Sequence, residues 1–298
     1  MREAIVLYQG EFGRLELRNV VGDLVTHVHR DVHVIVWLQG AVGEMMVGGR
    51  TVAPSRNVAI GVNSFELHNH NMMANGPGGI FLAFYLDPDW AHQRRGIDHN
   101  MAHFARPTIS LDPSMHQLAM DLVARLTEGD GANHLHLYEI VSFIDRVLDA
   151  AEADRQSERS REPARVRTTR DFRIRKAIDL MKAKVSTRVC FDEVARAAGL
   201  SRPHFFALFK EQMNVTPNIF WNMLRMEEAL RQIHESEDSL TEIAIDLGFT
   251  TQGNFSRFFR EHTGVPPAVY RSAARQSSRH DDRRRASAQS DAAISRPR

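Results

Sequence analysis

Between Ile5 and Tyr85 the apolar residues come in short runs, at 25–33, 34–38, 44–47, 58–62 and 80–86, broken by Gly, Asn, Pro and Asp. Runs of this length between turn formers predict successive antiparallel strands, hence a β-barrel or sandwich. From Pro113 the period changes. Met115, Leu118, Leu122 and Leu126 share one helical stripe, and Leu137, Ile140, Val141, Ile144 and Leu148 share another, which predicts two amphipathic helices within 113–150. Their stripes can either cover the β-unit, 1–112, or carry contacts between two copies of the chain. Residues 151–171 are charged, Ser-bearing and nearly free of large apolar side chains, with Pro163 inside, and read as a linker. Residues 275–298 are rich in Arg, Ser and Ala and read as a disordered tail.

Between linker and tail, over 172–274, the pattern repeats itself. Phe205, Phe209, Lys210, Val215 and Pro217 recur fifty positions later as Phe255, Phe259, Arg260, Val265 and Pro267. Ala195, Gly199 and Leu200 precede Ala244, Gly248 and Phe249 by forty-nine, so one residue is inserted near Thr250. Each copy has the parts of a helix-turn-helix: a short helix with a small crossing residue, Ala195 or Ala244, a tight turn and a second amphipathic helix. The modules are placed at 191–212 and 239–262. Gly199 and Gly248 supply the left-handed conformation that ends each first helix. Ser201 is expected to cap the second helix of the first module, and Ser239-Leu240-Thr241-Glu242 spells a capping box. Pro217 and Pro267 open the following helices, where a missing backbone donor costs little. The fold class is therefore α+β and multidomain, with an all-α double helix-turn-helix at the C-terminal end.

Net charge is only +1, but it is divided unevenly. Up to Ala164 there are 14 Lys and Arg against 21 Asp and Glu, and from Arg165 onward 24 against 16. A basic C-terminal half suits a phosphate backbone, whereas the acidic half does not. A single cysteine, Cys190, excludes an intramolecular disulfide, and the absence of a leader or of a long apolar run points to a cytoplasmic protein with no membrane partner.

Ile243-Ala244, Gly248-Phe249, Phe255-Ser256-Arg257-Phe258-Phe259-Arg260 and Gly264-Val265-Pro266-Pro267 with Tyr270-Arg271 resemble the AraC/XylS family of transcription regulators. The resemblance implies a seven-helix unit whose central helix, from Asn218 to Glu235, joins the two modules. It also implies that double-stranded DNA is read by the second helix of each module. In the second module this designates Thr251, Gln252, Ser256, Arg257 and Arg260, with Arg257 able to fork onto guanine and Gln252 to pair with adenine. The first module departs from the pattern. Pro203, Phe206 and Ala207 occupy exposed positions, with Ser201, Arg202 and His204 beside them. Phe206 and Ala207 can touch thymine methyls, or the module can serve mainly phosphate contacts. Cys190 stands where the family usually has Ser or Thr, and a thiol at a helix N-terminus can have a lowered pKa.

In the N-terminal unit, the stretch from Gly22 to His33 with Gly40, and Pro54 followed by Phe65-Glu66-Leu67-His68, resemble the two motifs of cupin barrels, which sensor domains of AraC-type regulators often use. That resemblance implies convergence of His27, His29, His33 and His68. Four imidazoles suit a divalent zinc, iron or copper ion. They can equally line a small-molecule effector pocket or rest in ordinary hydrogen bonds.

The sequence thus predicts an effector-responsive regulator, not an enzyme, acting as activator or repressor. DNA, a small effector, RNA polymerase and a second copy of the chain are its candidate partners. The competing expectation is a metal-dependent cupin enzyme fused to a DNA-binding unit, and it requires stoichiometric redox metal and an acid/base group. Alkyl transfer to a nucleophilic thiol has only Cys190 to draw on.

Overall fold

The computed structural model describes residues 5–72, 78–98, 101–127, 137–157, 171–185 and 189–277. In it the strands form two antiparallel sheets. The larger runs β1 (Ile5–Gly10), β2 (Gly13–Val20), β9 (Gly79–Leu86), β4 (Val32–Gly40), β7 (Val58–Val62) and β10 (Thr108–Ser110), in that order. The smaller runs β3 (Leu24–His27), β8 (His68–Asn71), β5 (Glu44–Val47) and β6 (Arg50–Val52). A short α1 (Pro88–Arg95), capped by Asp87, follows β9.

Period-two alternation sets the layers. Leu15, Leu17, Val32, Val34, Val36, Leu82 and Phe84 face one side of the larger sheet, where α2 (Pro113–Thr127) and α3 (Leu137–Ser157) cover them with Met115, Leu122, Ile140, Phe143 and Ile144. On the other side Val20, Ile35, Ile60, Val62 and Phe81 pack on Met45 and Val47 of the smaller sheet. The result is a sandwich backed by helices. The barrel alternative is not formed, because the two sheets share no strand among the described residues. The run expected at 25–33 breaks after His27, and Val28 is drawn into the core of the C-terminal unit while β4 starts afresh at Val32. The stripes of α2 and α3 pack on the sheet. The helix α3 also reaches further than expected, so 151–157 is helical rather than linker, with Ala151 in the core and Asp154 paired to Arg106 at 2.8 Å. The rest of the expected linker, 158–170, and 278–298 of the expected tail lie outside the described residues.

The C-terminal unit comprises α4 (Phe172–Ala183), α5 (Phe191–Ala197), α6 (Arg202–Met213), α7 (Pro217–Glu235), α8 (Leu240–Asp246), α9 (Gln252–Thr263) and a last helical stretch, 267–277. Arg275, expected in the tail, lies on that stretch and pairs with Glu237 at 2.5 Å. The repeated residues are the cores: Val194, Ala195, Phe205, Phe209 and Phe220 in the first module, Ile243, Ala244, Phe255, Phe259 and Tyr270 in the second. Gly199 and Gly248 hold φ of 73° and 72° at the two turns. The capping box at Ser239 and Glu242 closes in both directions. Ser201 occupies the cap position of α6 but its side chain makes no cap bond, a correction to the expected capping role. α7 has 19 residues, about 28 Å at 1.5 Å per residue. It is fastened to the second module by Arg225, which donates to the Leu247 carbonyl at 3.0 Å and lies 3.6 Å from the Phe249 ring centre.

Neither helical core is complete by itself. Val28, Phe65 and Leu67 of the sandwich join the first, and Ile5 and Leu7 join the second. Phe65 takes a left-handed φ of 59°, uncommon for a bulky residue, and its ring stacks on Phe220 of α7 at 6.5 Å.

Candidate functional site

The second helices of the two modules each bury a Phe pair and turn the opposite face to solvent. On α9, Phe255 and Phe259 are fully buried whereas Thr251, Gln252, Arg257 and Arg260 are exposed and Ser256 is half-buried. Thr251, Gln252 and Arg257 already have local partners. The Thr251 hydroxyl accepts from the Asn254 amide at 3.1 Å, capping the helix, and Arg257 donates to the Asn254 Oδ1 at 3.1 Å. Gln252 Oε1 accepts from the Thr241 hydroxyl at 3.0 Å, which leaves its amide donors directed elsewhere. On α6, Ser201, Arg202, His204 and Ala207 are exposed. Phe206 is half-buried, edge-on to Phe191 at 5.6 Å, so its ring is partly engaged in packing. Arg202 pairs with Asp192 at 3.2 Å. Cys190 is exposed at the start of α5 and makes no capping bond.

A second set of functional groups lies where the sandwich meets the C-terminal unit, and most of it was not legible beforehand. Glu16 and Arg18, on the β2 face turned away from α2 and α3, are 2% and 4% exposed. The Tyr270 hydroxyl donates to Glu16 Oε1 at 3.0 Å, Arg18 donates to the Thr263 carbonyl at 2.8 Å, and Glu16 pairs with Arg14 at 2.9 Å and Arg18 at 3.1 Å. Burial alone would raise the Glu16 carboxyl, but Arg18 and Arg14 outweigh it and hold it below the usual range. Burial, reinforced by the Glu16 charge, pushes the Tyr270 phenol well up. Arg18 also donates to the Tyr85 hydroxyl. This network ties the C-terminal end of α9 to the larger sheet.

Beside it stand the histidines. His27, His29 and His68 bring ring nitrogens within 4.8 Å of one another, their ring centres 4.2 to 6.0 Å apart. His33 is held one step back: its Nδ1 is 3.2 Å from His29 Nε2, and its ring stacks on Tyr85 at 4.1 Å. Nε2 of both His33 and His68 is buried without a hydrogen-bond partner among the described residues. Burial and neighbouring imidazoles hold His27, His29 and His33 well below the usual histidine range and His68 down at about 3. Each is thereby biased towards the neutral form, in which imidazole binds a metal or accepts a hydrogen bond. His70, on the same strand as His68, contacts the Val42 carbonyl at 2.9 Å instead. His262, in the last turn of α9, brings its ring within 6.0 Å of His27; the sequence offered no signal for this neighbour, since 235 positions separate the two. A cavity of about 370 Å³ opens here between the two units, with Arg14, His27 and His29 on one wall and Met226, Leu230 and His262 on the other.

A family model described as a helix-turn-helix domain matches residues 194–273. The chain is similar to the raffinose operon transcriptional regulatory protein RafR of Pediococcus pentosaceus, 28% identical over 107 residues, covering 36% of this chain and 38% of RafR. It is similar to the HTH-type transcriptional regulator ArgR of Pseudomonas aeruginosa, 26% identical over 160 residues, covering 53% of this chain and 47% of ArgR. The chain thus spans less than half the length of either regulator. Among solved structures it resembles an apo form of a ToxT variant from Vibrio cholerae, with a TM-score of 0.55 and 10% identity over 90% of this chain and 99% of that one. The C-terminal segment is accordingly a helix-turn-helix domain of the AraC type, carried in a chain with the overall fold of ToxT.

Proposed function

We propose that the chain is a sequence-specific DNA-binding transcription regulator, in which α6 and α9 enter successive stretches of the major groove and the sandwich controls them through a ligand held between the two units. The observation that carries this reading is the duplicated module: in both copies the second helix spends its Phe residues on the core and presents the other face, with Arg202 and His204 or Gln252 and Arg257, to solvent. A bidentate contact from Arg257 to guanine or from Gln252 to adenine supplies about 1 to 3 kcal/mol of discrimination. Phosphate contacts supply affinity and register but no choice of base.

Control follows from the shared cores and the Glu16, Arg18 and Tyr270 network. A ligand in the interdomain cavity touches both units, so it binds one relative arrangement more tightly than another and shifts the population towards it. Selection of duplexes from a random library by the full-length chain tests the assignment. Enrichment of one motif at physiological salt is expected, and an unenriched pool after repeated rounds refutes it.

A further inference from the structure

The geometry points to a binding site for a divalent transition-metal ion on His27, His29 and His68, placed so that its occupancy is felt at the C-terminal turn of α9. This deepens the reading above by naming the chemistry of the interdomain ligand, and its second half rests on that reading.

The argument starts from which ring nitrogens carry protons. A carbonyl oxygen can only accept, so a ring nitrogen facing one must be the N–H. His27 Nδ1 faces the Val25 carbonyl at 2.7 Å, His29 Nδ1 the Asp31 carbonyl at 2.9 Å, and His68 Nδ1 the Glu66 carbonyl at 2.9 Å. With the proton on Nδ1, the lone pair that each ring offers in its neutral form lies on Nε2. Backbone carbonyls fixing the far nitrogen of each ring are the arrangement that orients metal-binding histidines and raises their basicity.

Three converging acceptors need a cation or a donor. Among the described residues the donor facing the set is His33, whose Nδ1 approaches His29 Nε2, and this serves one lone pair of three. His68 Nε2 remains buried with no partner among them, a cost of about 1 to 3 kcal/mol unless something fills it. A tetrahedral zinc with bonds of about 2.0 to 2.1 Å would draw its nitrogens to about 3.4 Å from each other. The present limit of 4.8 Å has to shorten by up to about 1.4 Å to reach that spacing. An all-imidazole set selects zinc, copper, nickel or cobalt over magnesium or calcium, which want oxygen. On binding, His29 exchanges its bond from His33 for the ion.

The reporter is His262. Its Nδ1 is fixed by the Phe258 carbonyl at 2.7 Å, which leaves its Nε2 as the available nitrogen, and its ring is 6.0 Å from that of His27. It borders both cavities that meet at the cluster. An ion on the cluster therefore sits against the end of the helix that carries Gln252 and Arg257.

Metal-free full-length protein is titrated with Zn2+ by calorimetry and with Co2+ by visible absorption. One ion per chain is expected, with X-ray absorption of the zinc-loaded protein fitting three imidazole nitrogens. The variants His29→Ala and His68→Ala are expected to lose more than about 100-fold in affinity, beyond what an outer-shell change costs, while His92→Ala, a histidine outside the cluster, binds as wild type. Zinc should slow amide exchange over 258–265, and His262→Ala should remove that slowing while keeping the ion. Absence of stoichiometric uptake, a zinc spectrum without imidazole scattering, or unchanged affinity in a folded His68→Ala overturns the site, and unchanged exchange over 258–265 overturns the coupling. The X-ray absorption arm decides the site even where a variant fails to fold. Loss of duplex preference would sink the regulator reading with ion binding intact, whereas failure here leaves duplex selection untouched.

Discussion

Tyr270→Phe isolates one of the bonds that tie the two units together. The ring of Tyr270 packs edge-on to Phe259 at 5.5 Å within the second module, and Phe preserves that contact. What disappears is the hydroxyl that donates to Glu16 at 3.0 Å across the interface. Glu16 keeps Arg14 and Arg18, so the carboxylate is not abandoned, and the loss is that of one buried hydrogen bond to a charged group, about 1.5 to 3 kcal/mol. If local opening of the interface controls exchange, amides of 263–271 and of β2 around Glu16 should exchange roughly 10- to 150-fold faster, at 1.4 kcal/mol per factor of ten. Hydrogen–deuterium exchange read by mass spectrometry on the full-length chain resolves this, with α5 as an internal reference that should not change. Protection in 263–271 that matches wild type would show that the network does not hold the units together, and the proposed route of control would fall with it.

Three further outcomes concern other parts of the chain. Arg257→Ala is expected to weaken binding of a selected duplex by about 1 to 3 kcal/mol and to relax the preference at one base pair; an unchanged affinity and motif would remove Arg257 from the reading surface. Ser239→Ala should cost about 1 kcal/mol of stability through loss of its capping box, whereas Ser201→Ala, which removes no cap bond, should stay within about 0.5 kcal/mol; equal losses in denaturant unfolding would contradict the contrast. Burial first, then His92 and the Arg155 and Arg95 charges, hold His103 at about 3, so the folded chain stays unprotonated there while the unfolded chain takes up a proton below about 6.5. Stability from this group is present above that value and falls as pH drops from about 6.5 towards 3, by about 2 kcal/mol at pH 5. His103→Asn should unfold with a shallower pH dependence than wild type, and identical slopes would argue against it.

The C-terminal unit was readable because its local and global requirements coincide. Gly199 and Gly248 are needed for the turns, and Phe205, Phe209, Phe255 and Phe259 are needed for the cores, so the repeat states its own architecture. The sandwich was harder to read. β8, His-Asn-His-Asn, has no apolar or β-branched residue to mark it as a strand, yet His68 and His70 are both buried. Alternation in Leu15, Glu16, Leu17 and Arg18 suggests a sheet with one wet face, but that face is covered by a unit some 250 positions away, and only the tertiary contact explains two buried charges there. For the same reason the histidine cluster was legible in its members but not in its arrangement. His33 stands behind His29 rather than beside the others, and His262 arrives from α9.

Hydroxyl-radical footprinting of the full-length chain on a duplex it has selected tests the central claim most directly. Two probes fixed to α7 should protect two stretches centred about one helical turn, 10 to 10.5 base pairs, apart on the same face of the duplex, with Arg257→Ala thinning only one of them. A single protected stretch, or protection spread evenly along the duplex, would contradict an account in which both modules read DNA.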